Sequence, residues 1–315
     1  MTGSAVQVPA TSANLGPGFD CLGLALGKYL TVTMTPQLGA VTVENHGAGM
    51  ALLPTNASHL TAQAIRCYWE SIGHRASGFH LRVESEIPLA RGLGSSAAAI
   101  VAGVALGALS ADPSYDLAQR KAELLPLCHT LEGHPDNVAA ALLGGLTIAC
   151  ILPEGVLALR RAPPPGLGAV LVVPRDQGKA STHEARAMLP ESIPRADGIY
   201  NLGRVALLLE ALSQGRFELL REAMQDKLHQ PYRLPRYRGA VAGLEAMLAA
   251  GAYGVCLSGA GPSLLALVPP QRATAIGSAG VAALAQAGSA ASYLVAELDA
   301  QGVRRLTDAA SARIR

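Results

Sequence analysis

From Gly92 to Ala111 the chain runs without one charged residue. That is close to the roughly 20 apolar residues that cross a bilayer as a helix. What fills the stretch is small, however: mostly Gly, Ala and Ser, with Leu93, Ile100, Val101, Val104, Leu106 and Leu109 as the larger apolar groups. A lipid-facing helix carries more Leu and Ile. Small residues on every side instead suit a helix buried in a soluble core. Gly103 and Gly107, one turn apart, would let a second element approach its backbone.

The rest of the chain can supply that surrounding. It has 315 residues, half of them hydrophobic, enough for one large domain or two ordinary ones. The formal net charge is +2, with no run of Lys or Arg. Nucleic acid and anionic membrane are therefore excluded as main partners, since both call for a basic patch. The five cysteines are Cys21, Cys67, Cys128, Cys150 and Cys256, an odd, scattered set without a C-x-x-C pair. They form neither a disulfide framework nor a zinc site and read as buried, reduced thiols. MTGSAVQVPA at the start shows no basic region followed by an apolar one, so no signal peptide is expected. A cytoplasmic location follows.

Periodicity gives a mixed pattern. VQV near the start, Leu30–Met34 and Ala40–Asn45 read as strands, and Ser58–Ile72 reads as a helix. FHLRVESEIP alternates and ends at Pro88. Ser95–Leu109 is the buried helix, Asp112–His129 a second helical region, and Leu146–Leu152 a strand. Pro153–Pro165 is proline-rich and irregular, which places a domain boundary there, dividing the chain into 1–155 and 156–315. Beyond it GAVLVVP is a strand, followed by helices over Ser181–Leu189, Asp197–Gln214, Arg216–His229 and Val241–Ala250. GVCLSGAGPSLLALVP then reads as strand, glycine turn, strand. The early strands lie close together in sequence, so α+β fits better than a strict β-α-β alternation.

The head of the buried helix carries the chemistry. ARGLGSSAAA, from Ala90 to Ala99, follows a strand and opens a helix. Gly92, Gly94 and Ala97 match the dinucleotide-binding spacing. Another helical segment follows, however, where that motif needs a second parallel strand ending in an acid. A Walker loop needs Gly-Lys-Ser/Thr, and this loop has no lysine. The physics survives without either label. Glycines let successive N–H groups converge, and Ser95 and Ser96 open a helix whose N-terminus is partly positive; together these make a phosphate site. A serine cap with glycines serving only turn geometry is the plainer alternative.

Two further small-residue loops change the balance: PATSANLGPGFDCLGLAL (Pro9–Leu26) and LSGAGPS (Leu257–Ser263). With Pro88-x-x-x-Gly92-Leu93-Gly94-Ser95-Ser96-Ala97 between them, they resemble the three motifs of the GHMP kinase superfamily in family order. The first motif resembles the homoserine kinase branch rather than the A-P-G-K form of mevalonate kinases. EGHPDNVAAALLGG (Glu132–Gly145), STHEARAMLP (Ser181–Pro190) and HQPYR (His229–Arg233) are similar to that branch as well.

The resemblance implies a two-domain α+β fold, the N-terminal domain containing a left-handed β-α-β unit and the C-terminal one ferredoxin-like. It implies ATP- and Mg²⁺-dependent phosphorylation of L-homoserine on its side-chain hydroxyl, on the route to threonine; the alternatives are another GHMP small-molecule kinase, or a non-catalytic nucleotide-binding protein of the same fold. ATP would lie on Pro88, Leu89, Ala90, Arg91, Gly92, Leu93, Gly94, Ser95, Ser96, Ala97 and Ala98, buttressed by Ser258, Gly259 and Gly261. Arg186 and Arg233 would hold the substrate carboxylate, a task that suits the planar guanidinium fork. Asn14, Asp20 and His134 would hold its ammonium and backbone end, with Asn137 at the reacting hydroxyl. Glu132 and a loop serine, Ser96 or else Ser95, would hold Mg²⁺, which needs few protein oxygens. Asp136 is either the general base or a bystander to catalysis by positioning and Mg²⁺. Where relatives carry Asn-Leu at the adenine pocket, this chain has His59–Leu60. A homodimer is expected only because two-fold oligomers are common.

Overall fold

The structure, a computed structural model, describes residues 3–75, 77–178 and 182–306. In chain order the elements are β1 (Ser4–Ala13), β2 (Leu22–Pro36), β3 (Thr42–His46), α1 (Leu60–Ser71), β4 (Phe79–Ser85), α2 (Ser95–Ala111), α3 (Leu117–Arg120), α4 (Leu125–Glu132), α5 (Pro135–Leu143), β5 (Leu146–Leu152) and β6 (Gly155–Arg161). There follow β7 (Gly168–Pro174), α6 (Thr182–Ala187), α7 (Arg195–Gln214), α8 (Leu220–Ala223), α9 (Gln230–Arg233), α10 (Ala240–Ala249), β8 (Gly254–Leu257), β9 (Leu264–Val268), α11 (Ala273–Gln286), β10 (Ala291–Ala296) and β11 (Arg304–Leu306).

Two sheets organise these elements. The first runs β11-β1-β2-β4-β3, with β5 pairing β2 and β6 pairing β5. Only β3 and β4 are parallel in it, joined through α1 as a β-α-β unit. The second is an antiparallel sheet in the order β10-β7-β9-β8, covered by α10 and α11. Strand β11 returns the chain to β1 from beyond the second sheet.

The uncharged helix is central, as its composition requires. Every residue of α2 from Ile100 to Leu109 is buried. A Cβ on Gly103 would come within 2.5 Å of the Thr61 carbonyl oxygen on α1, so glycine permits the contact between α1 and α2. Trp69, also buried, donates its indole N–H to Ser110 Oγ at 3.0 Å and packs edge-on to Phe79. No helix of the described residues is long and apolar enough to cross a membrane.

Four local readings need correction. The Asp112–His129 region is not one helix: Asp116 caps the short α3 by accepting from the N–H groups of Ala118 and Gln119. Pro126 then opens α4 as a new start. Likewise Arg216–His229 breaks after α8, because the Asp226 carboxylate takes the N–H groups of Leu228, His229 and Gln230 and so starts α9. The proline-rich stretch is not irregular throughout: β6 lies within it, hairpinned to β5, so the first sheet extends past the expected 155/156 division. Finally, Leu22–Leu26 of the first motif is strand, paired with both β1 and β5. Of the Ser181–Leu189 helix, Ser181 lies outside the described residues, and α6 occupies Thr182–Ala187.

Candidate active site

The three small-residue stretches meet at one place. Gly92 has φ +74, and a Cβ there would stand 2.4 Å from the Ser258 carbonyl oxygen and 2.8 Å from that of Gly261. The loop before α2 is therefore pressed backbone to backbone against the turn between β8 and β9. Ser258, fully buried, donates its hydroxyl to the Gly92 carbonyl at 2.7 Å and pairs with the Ser12 hydroxyl of β1 at 2.8 Å. Asn14 ties the first stretch to the third. Its amide donates to the Gly259 carbonyl at 3.0 Å and accepts from the Asp20 N–H at 3.0 Å. Asn14 and Asp20 both sit at positive φ, at 71° and 55°, a region that Asn and Asp tolerate better than most residues.

A cavity of about 690 Å³ opens in front of this junction. Its lining contains Asn14, Asp20, Leu89, Ala90, Arg91, Gly92, Leu93, Gly94, Ser95, Ser96, Glu132, His134, Asp136, Asn137, Arg186, Arg233 and Gly259. Those residues, expected from distant parts of the sequence, are brought together. Ser258 and Gly261 stand behind the loop, Ala97 and Ala98 are buried in the first turn of α2, and Pro88 precedes the loop; none of these five lines the cavity. Helix α2 points its N-terminus into the space, where unpaired N–H groups favour an anion.

On one wall Ser96 donates its hydroxyl to Glu132 Oε1 at 2.6 Å. Beside it the EGHPDN turn folds on itself. Asp136, buried in the first turn of α5, accepts on Oδ1 from His134 Nδ1 at 2.7 Å and from the Asn137 N–H at 2.7 Å. Burial alone would lower the His134 pKa. The Asp136 hydrogen bond and the charges of Asp136, Glu132 and Asp20 outweigh burial and hold it above the ordinary histidine value. Asn137 Oδ1 accepts from the Thr11 hydroxyl at 2.8 Å. That bond fixes the amide from β1, a role the sequence reading missed.

At the other end stand two guanidinium groups. Arg186 pairs with Asp20, Nη1 to Oδ2 at 2.8 Å. Arg233 is buried, at 4 % exposure. It donates from Nε and Nη2 to the Ala185 carbonyl at 3.3 and 3.2 Å. The Phe19 ring lies 5.8 Å from one guanidinium carbon and 5.1 Å from the other. Phe19 was also missed, although it sits inside GPGFD. The remaining wall is apolar, formed by Leu52, Leu53, Pro54, Leu60 and Leu89, with His59 among them. His59 Nδ1 accepts from the Thr61 N–H at 3.2 Å, which puts its proton on Nε2, and Nε2 is buried without a partner among the described residues.

A helix N-terminus, the Ser96–Glu132 pair and two guanidinium groups share one cleft, an arrangement that suits a small-molecule kinase. Comparison with known proteins agrees. Residues 59–145 match the GHMP kinases N terminal domain and residues 208–292 the GHMP kinases C terminal model. A homoserine kinase of Desulfitobacterium hafniense is 42% identical over 297 residues, covering 94% of this chain and 98% of its own. One from Symbiobacterium thermophilum is 47% identical over 232 residues, 72% of each chain. The crystal structure of homoserine kinase from Cytophaga hutchinsonii superposes with a TM-score of 0.84 at 28% identity, covering 97% of this chain and 98% of that one. The chain belongs to the GHMP kinases and, within them, to the homoserine kinase family. It is an ATP-dependent kinase acting on a hydroxyl group.

Proposed function

We propose that the substrate is L-homoserine, that Mg²⁺ is required, and that the residues lining the cavity divide the work between its two ends. One observation carries the reading. A single cavity joins the N-terminus of α2 to a pair of opposite charges, Asp20 and Arg186, backed by a second, buried arginine. An amino-acid zwitterion carries the same two charges: its ammonium suits Asp20, and its carboxylate suits Arg186 and Arg233. A neutral sugar needs no such arrangement.

The phosphates would rest on the loop from Leu89 to Ser96, with Arg91 adding charge at its edge. The adenine would enter the apolar wall, where the His59 Nε2–H is a donor awaiting an acceptor. The Ser96 hydroxyl and the Glu132 carboxylate are the hard oxygen donors a magnesium ion takes. No cluster of three or more His, Cys, Asp or Glu among the described residues could cage a metal unaided. When bound, the ion would neutralise charge on the nucleotide phosphates.

In the reaction the homoserine hydroxyl forms a bond to the γ-phosphorus, the bond from that phosphorus to the bridging oxygen breaks, and ADP leaves. Asn137, held by Thr11 and Asp136, orients the hydroxyl. Asp136 has three donors on Oδ1, from His134 and from the backbone and side-chain amides of Asn137, so Oδ2 accepts the hydroxyl proton. A loose transition state asks little of that base, so positioning contributes most of the rate. The five cysteines are all unpaired, as suits a cytoplasmic enzyme. Calorimetry with homoserine and with its carboxamide tests the clamp: the amide should bind far more weakly, and equal binding would contradict it.

A further inference from the structure

His229 opens the HQPYR stretch and is fully buried. Its Nε2 lies 2.8 Å from the Gly16 carbonyl, and its Nδ1 lies 3.3 Å from Arg233 Nη1. One protonation state satisfies both contacts. Gly16 offers only an acceptor and Arg233 only donors, so the proton sits on Nε2 and Nδ1 is bare. We propose that His229, as this neutral tautomer, is a positioning residue that aims the Arg233 guanidinium at the substrate carboxylate and couples it to the loop carrying Asp20.

The surroundings hold the ring in place. Phe19 stacks on it at 5.3 Å between centroids and 27° between planes, and the same Phe19 ring underlies both guanidinium groups. Asp226 comes within 3.5 Å of Nε2, but its oxygens are committed to the N–H groups that open α9. Burial, and the positive charge of Arg233 beside it, favour the neutral ring, against the pull of Asp226 and Asp20.

The donor count shows what the ring achieves. A guanidinium has five N–H donors. Ala185 takes one from Nε and one from Nη2, and His229 takes one from Nη1. Among the described residues one N–H on each terminal nitrogen is left over, a two-pronged set for a carboxylate. Without the acceptor on Nδ1 the guanidinium loses one of its three anchors.

The proposal rests on the reading of Arg233 as a carboxylate clamp, and the test separates the two. Asn places its side-chain oxygen near the position of Nδ1 and keeps an acceptor for Arg233; Gln places its amide near Nε2 and keeps only the tie to Gly16. Steady-state kinetics on His229→Gln, His229→Asn, Arg233→Ala and the His229→Gln/Arg233→Ala pair decide it. We expect His229→Gln to raise the homoserine KM roughly tenfold with the ATP KM unchanged. His229→Asn should recover most of that loss, and the Gln effect should vanish in the Arg233→Ala background. Equal losses in Asn and Gln, or a Gln effect that persists without Arg233, would overturn the positioning role. An unchanged homoserine KM in Arg233→Ala would overturn the clamp and the proposal with it. Nitrogen-15 spectra of the wild-type imidazole provide a check that needs no variant: a protonated Nε2 and bare Nδ1 support the assignment, and any other state refutes it.

Discussion

Arg186 Nη1 stands 2.8 Å from Asp20 Oδ2, and neither side chain is buried, at 42% and 34% exposure. Under the proposed function the ammonium and carboxylate of the bound substrate would each take one member of this pair. An exposed ion pair adds only about 0–1 kcal/mol to stability. Arg186→Ala and Asp20→Asn should therefore leave the unfolding temperature nearly unchanged while raising the homoserine KM about tenfold or more. Kinetics beside thermal melts check both halves.

Ser96 and Glu132 meet at 2.6 Å beside the start of α2. Ser96→Ala and Glu132→Gln should raise the Mg²⁺ concentration needed for half-maximal rate and lower kcat, for Glu132→Gln by about 100-fold. Nucleotide binding measured without metal should be near normal. A wild-type Mg²⁺ dependence in both variants would remove them from the metal site.

His59 offers a second, independent probe. His59→Leu deletes the Nε2–H, which has no partner among the described residues, and the cap on Thr61, while keeping an apolar wall. The ATP KM should rise about tenfold and the homoserine KM should hold. The lost cap should lower stability by about 1 kcal/mol, readable by denaturant titration.

The histidines give stability a pH dependence of definite sign. The folded-state pKa of His134 is raised, by Asp136 above all once burial is overcome. Its stabilising contribution is complete below the unfolded value of about 6.5 and is lost as pH rises through the folded value. His59 and His229 are lowered by burial. Their contribution is complete above about 6.5 and falls away on acidification. Asp136→Asn should thus bring the His134 titration, followed by proton NMR, down toward the ordinary value.

Gly92→Ala tests the junction itself. The new Cβ would meet two backbone carbonyls at 2.4 and 2.8 Å from a left-handed conformation. The left-handed backbone alone costs about 1–2 kcal/mol. The variant should unfold at lower temperature and lose ATP affinity, because no side chain can turn aside.

Much of this was legible from residues alone. The burial of α2 followed from its missing charges, and the tight loop before it from its glycines. The family resemblance supplied what spacing could not, above all that Arg186 and Asp136 share one cavity. What stayed hidden depended on tertiary partners. Thr11 reads as an ordinary strand residue until Asn137 is set against it. Asp226 looks like one more acid in a helix until its carboxylate turns back on the N–H groups of α9. Gly155–Arg161 hides a strand among prolines because its pairing with β5, not its own pattern, makes it one. The elements after Val268 went unread because Ala- and Gly-rich α11 has weak periodicity.

The central claim is that the cleft phosphorylates an amino-acid hydroxyl. ADP release with ATP and Mg²⁺ across homoserine, threonine, serine, mevalonate and galactose tests it most directly. Strong turnover with homoserine and little with the rest is the predicted result. Activity on mevalonate or galactose but not homoserine, or nucleotide binding with no turnover on any acceptor, would contradict it.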